Sequence, residues 1–368
     1  MDLDKLFTET SPALLAQATA EPRTEGTVDL RRAQQLTITR DTYLEAESRG
    51  LTLSELLEST DYDPSPLDSP LDAFERQLAA RGIRVGGANP LTVELFYRGA
   101  PALLPEFMLR EIRHGQSLRP ELNGLVGSSS HVPGNRYTPF DIEAQAGDAR
   151  WSMRPVGDGA NVPAVVVTER VNSIDVRDYG LALKASYKAL RHRTTPQFKV
   201  LLWYIGYRMQ VDKLGMLVDV LINGDGNDNA ATVINTASSG TLAYADLVAF
   251  WAELHPFEMN TMICSKDKIK TILTMTEFKD PLAGFRFQGT GELVSPLGAS
   301  LVRSDEVATD RVIGMDKRFA AEEIVTQALT VEYDKIIEQK FEEAVISESV
   351  AYAKVVPDAV KVLDSVWT

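Results

Sequence analysis

The chain has 368 residues, with 52 acidic against 38 basic side chains and a formal net charge of −14. That length supplies ample material for a hydrophobic core and allows two or three domains, or one large elaborated one. Apolar residues at 44% and charged ones at 24% exclude global disorder and collagen-like or membrane classes. The acidic balance argues against a protein that wraps itself around nucleic acid. Cys264 is the single cysteine, which excludes an intramolecular disulfide and a Cys-based zinc site. Met1-Asp2-Leu3-Asp4 lacks the basic-then-apolar form of a secretory signal. The longest apolar stretch, Val200 to Ile222, is broken by Arg208, Asp212, Lys213 and Asp219, so it does not span a bilayer. The composition reads as a soluble, intracellularly made, non-enzymatic chain.

Residues 1–40 mix Pro, Thr, Glu and Ala without sustained periodicity. Asp41 to Ser59 reads as a short amphipathic helix pair broken at Gly50, and Leu71 to Arg81 as a short helix stopped by Gly82. Between them, Thr60 to Pro70 is an acidic, proline-punctuated linker that cannot hold a helix. The apolar residues of these pieces need a surface supplied by the rest of the chain or by a neighbour. Leu91 to Tyr97 alternates like a strand, and Pro105 to Ile112 reads as a short helix with proline in its first turn. In 131–177 the β-like runs Arg136–Ile142, Trp151–Arg154 and Val165–Arg177 are separated by glycine turns, the pattern of a two-stranded arm with two partly polar faces. An isolated hairpin is marginal in water, so the arm needs a partner.

Pro196 to Ile222 is the strongest element. Thr195 is placed to cap it, Pro196 suits its first position and Gly224 lies beyond its end. A turn at Asn223–Asn227 follows, then a helix Leu242–Leu254, a strand Met259–Cys264 and a helix from Lys266. Strands at Leu301-Val302, Val312-Ile313, Leu329–Tyr333 and Val345–Val356 close an α+β order with non-local pairing.

No motif carries chemistry. Asp225-Gly226-Asn227-Asp228-Asn229 begins like a calcium loop, but Ala230 and Thr236 stand where that loop needs Gly and Glu. Ser265-Lys266-Asp267-Lys268 fits Ser-x-x-Lys without its companion motifs, and a helix cap explains Ser265. The four histidines are scattered, nothing pairs with Cys264, and Gly289 to Val294 lacks the third glycine of a dinucleotide loop. No catalytic, cofactor-binding or metal-binding residue is therefore expected.

Taken in order, residues 89–364 resemble the major capsid proteins of tailed bacteriophages with the Johnson fold. Leu104-Pro105-Glu106-Phe107 and the helix to Ile112 look like the segment leading from the N-terminal arm to the extended loop. Gly157 to Pro163 resembles a stretch of that loop, and Tyr179 to Leu190 the strand and short helix that return to the body. Pro196–Ile222 is spine-like, Met262 to Ser265 resembles an axial-domain unit, and Leu297-Gly298, Ser304-Asp305 and Pro357 to Val362 resemble later landmarks. The resemblance implies an N-terminal arm (89–130), an extended loop (131–177), a peripheral domain (178–225 and 324–352) and an axial domain (226–323 and 353–368); residues 1–88 have no clear counterpart in the family and read as an N-terminal extension, either a cleaved scaffold-like region or a retained segment.

It further implies hexamers and pentamers in an icosahedral virion shell around double-stranded DNA, assembled in the host cytoplasm. The partners would be other copies, a portal, and decoration or cement proteins. The alternative is an encapsulin, a nanocompartment of the same fold enclosing a cargo enzyme. Arg136, Arg150, Arg154, Asp158 and Arg170 are the expected intersubunit contacts. The spine helix is expected beside the late strands and not on residues 259–313. Residues 1–88 are expected to lie along neighbouring chains. Some family members cross-link subunits through a loop lysine, but no lysine lies between Lys5 and Lys184, so no such bond is expected.

Overall fold

The computed structural model describes residues 38–59, 71–87, 89–141, 155–158, 161, 168–186, 189, 192–279, 296–336 and 341–367. The described chain begins with helices α1 (Arg40–Ser48), α2 (Leu53–Ser59), α3 (Ala73–Ala80), α4 (Val93–Gly99) and α5 (Leu104–Ser117). Six strands follow: β1 (Ser128–His131), β2 (Arg136–Tyr137), β3 (Phe140–Asp141), β4 (Thr168–Glu169), β5 (Ile174–Asp175) and β6 (Arg177–Ser186). Then come α6 (Thr195–Asn223), β7 (Thr232–Asn235), α7 (Tyr244–Glu253), β8 (Thr261–Cys264), α8 (Lys266–Leu273) and α9 (Thr276–Lys279). The chain closes with β9 (Ser300–Arg303), β10 (Arg311–Met315), β11 (Ala321–Ile336), β12 (Phe341–Lys354) and β13 (Val360–Asp364). Two units share these elements: Met1–Leu118, Gly180–Arg208 and Leu329–Ser347 form the first, and the remaining residues the second.

In the first unit the short N-terminal helices are bound to their own chain. Asp72 caps α3 by accepting from the Glu75 N–H at 2.8 Å, while Glu75 accepts from the Asp72 N–H at 3.2 Å, a reciprocal capping box. Leu53, Leu56, Leu57, Phe74 and Leu78 are buried. The Ser54 hydroxyl and N–H both donate to Glu106 Oε1 on α5, and Arg110 forms an ion pair with Asp72. Burial raises the Glu106 carboxyl above its usual range, against the opposing pull of the Ser54 donors. Residues 38–87 are thus tied to α5 of their own chain, one of the two kinds of surface that the sequence left open to them.

The segment 91–97 is a correction: it is the helix α4, not a strand. Thr92 Oγ1 caps it by accepting from the Leu95 N–H at 3.4 Å, and Val93 and Phe96 are buried while Leu95 is half exposed. Burial at i and i+3, rather than at alternate residues, is the helical period. Thr195 also departs from expectation. It lies inside α6, and its hydroxyl donates to Leu91 O at 3.1 Å instead of capping.

Helices α5 and α6 meet backbone to backbone. A Cβ on Gly115 would lie 2.3 Å from Trp203 O, and one on Gly206 would lie 2.1 Å from Ile112 O. Beside this crossing, Trp203 Nε1 donates to Glu111 at 2.7 Å, and Lys199 pairs with the same carboxylate at 2.8 Å.

The second unit is built on a five-stranded sheet ordered β7-β13-β10-β8-β9. Strand β10 is antiparallel to both β13 and β8, whereas β8–β9 and β13–β7 are parallel. Side-chain alternation sends Ile263, Ile313, Val302, Val360 and Val362 to one face and Met262, Cys264, Val312, Leu301 and Leu363 to the other. The first face packs with Leu214, Leu217, Val218 and Leu221 of α6 and with Val350 and Tyr352 of β12. The second packs with Leu247 and Phe250 of α7 and Ile269 and Ile272 of α8. The expected separation of the long helix from residues 259–313 therefore does not hold: the second half of α6 buries the same residues against that sheet as against β12. A second sheet, ordered β1-β11-β12-β6, contains the two longest strands. Ser265 caps α8 as expected, accepting from the Lys268 N–H.

Candidate subunit-contact surfaces

The return half of the predicted arm pairs with its outgoing half. Arg136↔Asp175 and Tyr137↔Ile174 are antiparallel partners, as are Phe140↔Glu169 and Asp141↔Thr168. Among the described residues of 131–177 only Pro139, Arg170 and Val176 are buried. Phe140 is 58% exposed and Val171 is 99% exposed. Glu169 is opposite Phe140, so these two share a face, while Val171 lies just past the strand in a bend. Arg170, at the intervening position, points the other way.

The five expected contact residues have different fates. Arg136 is exposed and pairs with Asp175 at 3.1 Å within the arm. Asp158 is exposed. Arg150 and Arg154 lie outside the described residues. Arg170 is drawn inside its own chain: its guanidinium donates to Asp225 Oδ2 at 3.2 Å and to Val355 O at 3.0 Å. Asp225, fully buried at its side chain, also accepts from the Lys354 N–H at 3.0 Å. The Lys354 ammonium donates to Leu221 O at 3.1 Å and Asn229 O at 2.8 Å. Burial pushes its pKa down to about 8, with Asp225 acting in the opposite direction.

The turn after α6 is shaped for this. Gly224, Gly226 and Asp228 have φ of 84°, 93° and 55°, and a Cβ on Gly224 would lie 2.4 Å from Asn229 Oδ1. Asn229 Oδ1 in turn accepts from the Asp225 N–H at 3.0 Å.

Bare apolar side chains also occur on the helices. Val200, Leu201, Tyr204 and Tyr207 on the first half of α6 are exposed, Tyr204 at 61%, and so are Val248 and Trp251 on α7. Their spacing of three and four puts each set along one helix face. Sequence reading found the helices but not these faces, because a buried and a bare apolar residue look alike in a sequence.

The chemistry of catalysis or metal binding is not assembled among the described residues. No group of three or more His, Cys, Asp or Glu is placed there to hold a metal ion. Cys264 is buried in β8, and burial alone raises its thiol to about 12, far from a reactive thiolate. No described helix is long and apolar enough to cross a membrane.

No model of a known protein family matches the sequence, and no curated protein matches it. Solved structures do match. The capsid of a native GTA particle superposes with a TM-score of 0.50 at 14% identity, covering 67% of this chain and 90% of that one. The capsid of cyanophage P-SCSP1u gives 0.49 at 14%, covering 67% and 88%. The SrpI encapsulin complex of Synechococcus elongatus gives 0.47 at 13%, also covering 67% and 88%.

The chain has the Johnson fold. At these identities the likeness concerns fold alone. In Johnson-fold terms α6 is the spine helix, and 136–141 paired with 168–175 are the described strands of the extended loop. Asn172, which helps hold that loop at its root, was not singled out from sequence, and Asp225 was read only as part of a turn. The Asp-Gly-Asn-Asp-Asn run signals a turn and gives no sign of what the turn binds.

Proposed function

We propose that this chain is the major shell subunit of a tailed phage, a capsid protein that self-assembles into hexamers and pentamers of an icosahedral shell around double-stranded DNA. The observation that carries the reading is a Johnson-fold subunit whose loop and helices leave apolar side chains bare: Phe140 and Val171 on the loop, Val200, Leu201 and Tyr204 on the spine helix. Large apolar residues exposed in rows on a soluble chain mark surfaces that a partner covers, and a closed shell of identical copies covers each of them at every position. The net charge of −14 suits a wall that should not trap a packaged polyanion.

On this reading the extended loop, with Arg136 and Asp158 exposed on it, reaches a neighbouring copy. Residues 178–225 and 324–352 form a peripheral domain, and 226–323 and 353–368 an axial one. A portal, and decoration or cement proteins, join the same shell. The role is structural, and the protein resides in the virion after assembly in the host cytoplasm. Negative-stain microscopy of the purified chain tests it directly, with closed shells or hexameric and pentameric rings expected. A monodisperse monomer across protein concentration and salt would overturn it. The contents of native particles separate the phage reading from the nanocompartment one: double-stranded DNA supports the first and a single cargo enzyme the second.

A further inference from the structure

The return strand of the extended loop is held to the rest of the second unit in part through a small polar set. Of its described residues, only Pro139, Arg170 and Val176 are buried. Val176 is an apolar anchor beside Ile324 and Ala353. Arg170 is a polar one. Its backbone N–H donates to Pro139 O at 2.9 Å, which fixes it to the outgoing strand, while its guanidinium spans Asp225 Oδ2 and Val355 O. Two residues on, the Asn172 N–H donates to Asn227 Oδ1 at 3.0 Å and its side-chain amide donates to Gly226 O at 2.9 Å. Between them Val171 stands almost wholly in solvent.

The receiving side is cross-braced by hydrogen bonds of its own. Asp225 Oδ1 accepts from Asn227 Nδ2 at 3.0 Å, Asp225 N–H donates to Asn229, and Lys354 ties the end of α6 to the turn by bonding Leu221 O and Asn229 O. An arginine forked between a buried carboxylate and a carbonyl is directional, unlike an apolar contact, and it fixes orientation as well as position.

We propose that the turn 223–229 is a latch that sets the direction in which the extended loop leaves the second unit, with Arg170 and Asn172 as the loop's catch residues and Asp225, Gly226 and Asn227 as its keeper. The latch presents the face of Phe140 and Glu169 outward, with Val171 bare at the bend beside it, and holds it there before a second copy arrives. Binding by a pre-oriented loop avoids the ordering cost that a loose hairpin would meet on association. This inference rests on the shell-subunit reading for its consequence, but its physical content is a property of the single chain.

The test uses the full chain and two variants. Asn172→Ala removes an exposed amide and leaves the keeper intact. Arg170→Met removes the fork. Hydrogen exchange of the unassembled chain should speed up roughly tenfold at residues 168–176 in Asn172→Ala, as expected for losing one net hydrogen bond, and more in Arg170→Met. The thermal midpoint of Asn172→Ala should stay within a few degrees of the parent. Shell yield at equal concentration, read by sedimentation and microscopy, should fall several-fold for both variants, with open or irregular particles. Glu169→Ala, on the outward face, should leave exchange at 168–176 unchanged. Unaltered exchange in Asn172→Ala, or normal shells from a variant whose exchange has risen, would overturn the latch. If the parent chain forms no shells, the shell reading fails, and the exchange result still decides the latch.

Discussion

Lys354 shows how one residue can be costly and necessary together. Its ammonium is fully buried, and its charge is met by two carbonyls and the nearby Asp225. Burial disfavours the charged form, so the folded pKa of about 8 lies below the ordinary lysine value of 10.5. Between those values the unfolded chain binds the proton and the folded chain does not, so stability rises with pH across that window. Compared with Lys354→Met, which has nothing to titrate there, the parent should gain up to about 3 kcal/mol between pH 8 and pH 10.5. Urea unfolding at a series of pH values measures the difference. A flat or falling difference would mean that Lys354 keeps an ordinary pKa in the folded state.

At the scale of elements, the crossing of α5 and α6 is the most demanding local geometry. Gly115 and Gly206 let the two backbones touch, and neither site has room for a methyl group. Gly206→Ala should therefore destabilise the chain by about 1–3 kcal/mol or more, although alanine is the better helix former. Gly99→Ala is the matched control, because its Cβ would meet only the Ile83 side chain at 4.0 Å, an ordinary contact. Thermal unfolding should show a clear drop for the first and almost none for the second. Equal shifts would show that helix propensity, and not the close approach, governs these sites. Pro105 marked the start of α5 in the sequence, but the helix runs to Ser117, past the Ile112 end read there, and Gly115 in that added stretch is where it meets α6.

For the whole molecule, the exposed loop leads to two expectations. Deleting Ala144–Asp158 spares every described residue of the two cores, so the chain should stay soluble and cooperatively folded while shell assembly falls sharply by light scattering and microscopy. Normal shells from that deletion would take the loop out of the subunit contact. The loop also lacks any lysine. Arginine keeps its proton and is a poor nucleophile, so Arg136 and its neighbours can form ion pairs but not amide cross-links. Particles boiled in denaturing detergent should release a single band at the monomer mass. A ladder that survives reductant would reveal covalent joining by some other route.

Much of the plan was legible in the chain itself, for local reasons. The spine helix is announced by proline at its start, glycine past its end and a long apolar run. Ser265 before Lys266 reads as a cap and is one. The absent loop lysine and the lone cysteine are facts of composition. The order of elements was enough to suggest the Johnson fold, which the structure has. What only the tertiary structure decided depends on distance. Leu91–Tyr97 alternates well enough for a strand, and the choice of helix was made by which of its residues found a core. The second half of α6 met the five-stranded sheet as well as β12 because its apolar face is wide enough to serve both. The N-terminal helices found their surface on α5. Arg170 was counted as an intersubunit contact because the charges of a polar-faced arm usually stand in solvent. Its burial depends on a carboxylate 55 positions away in sequence, brought beside it by folding alone.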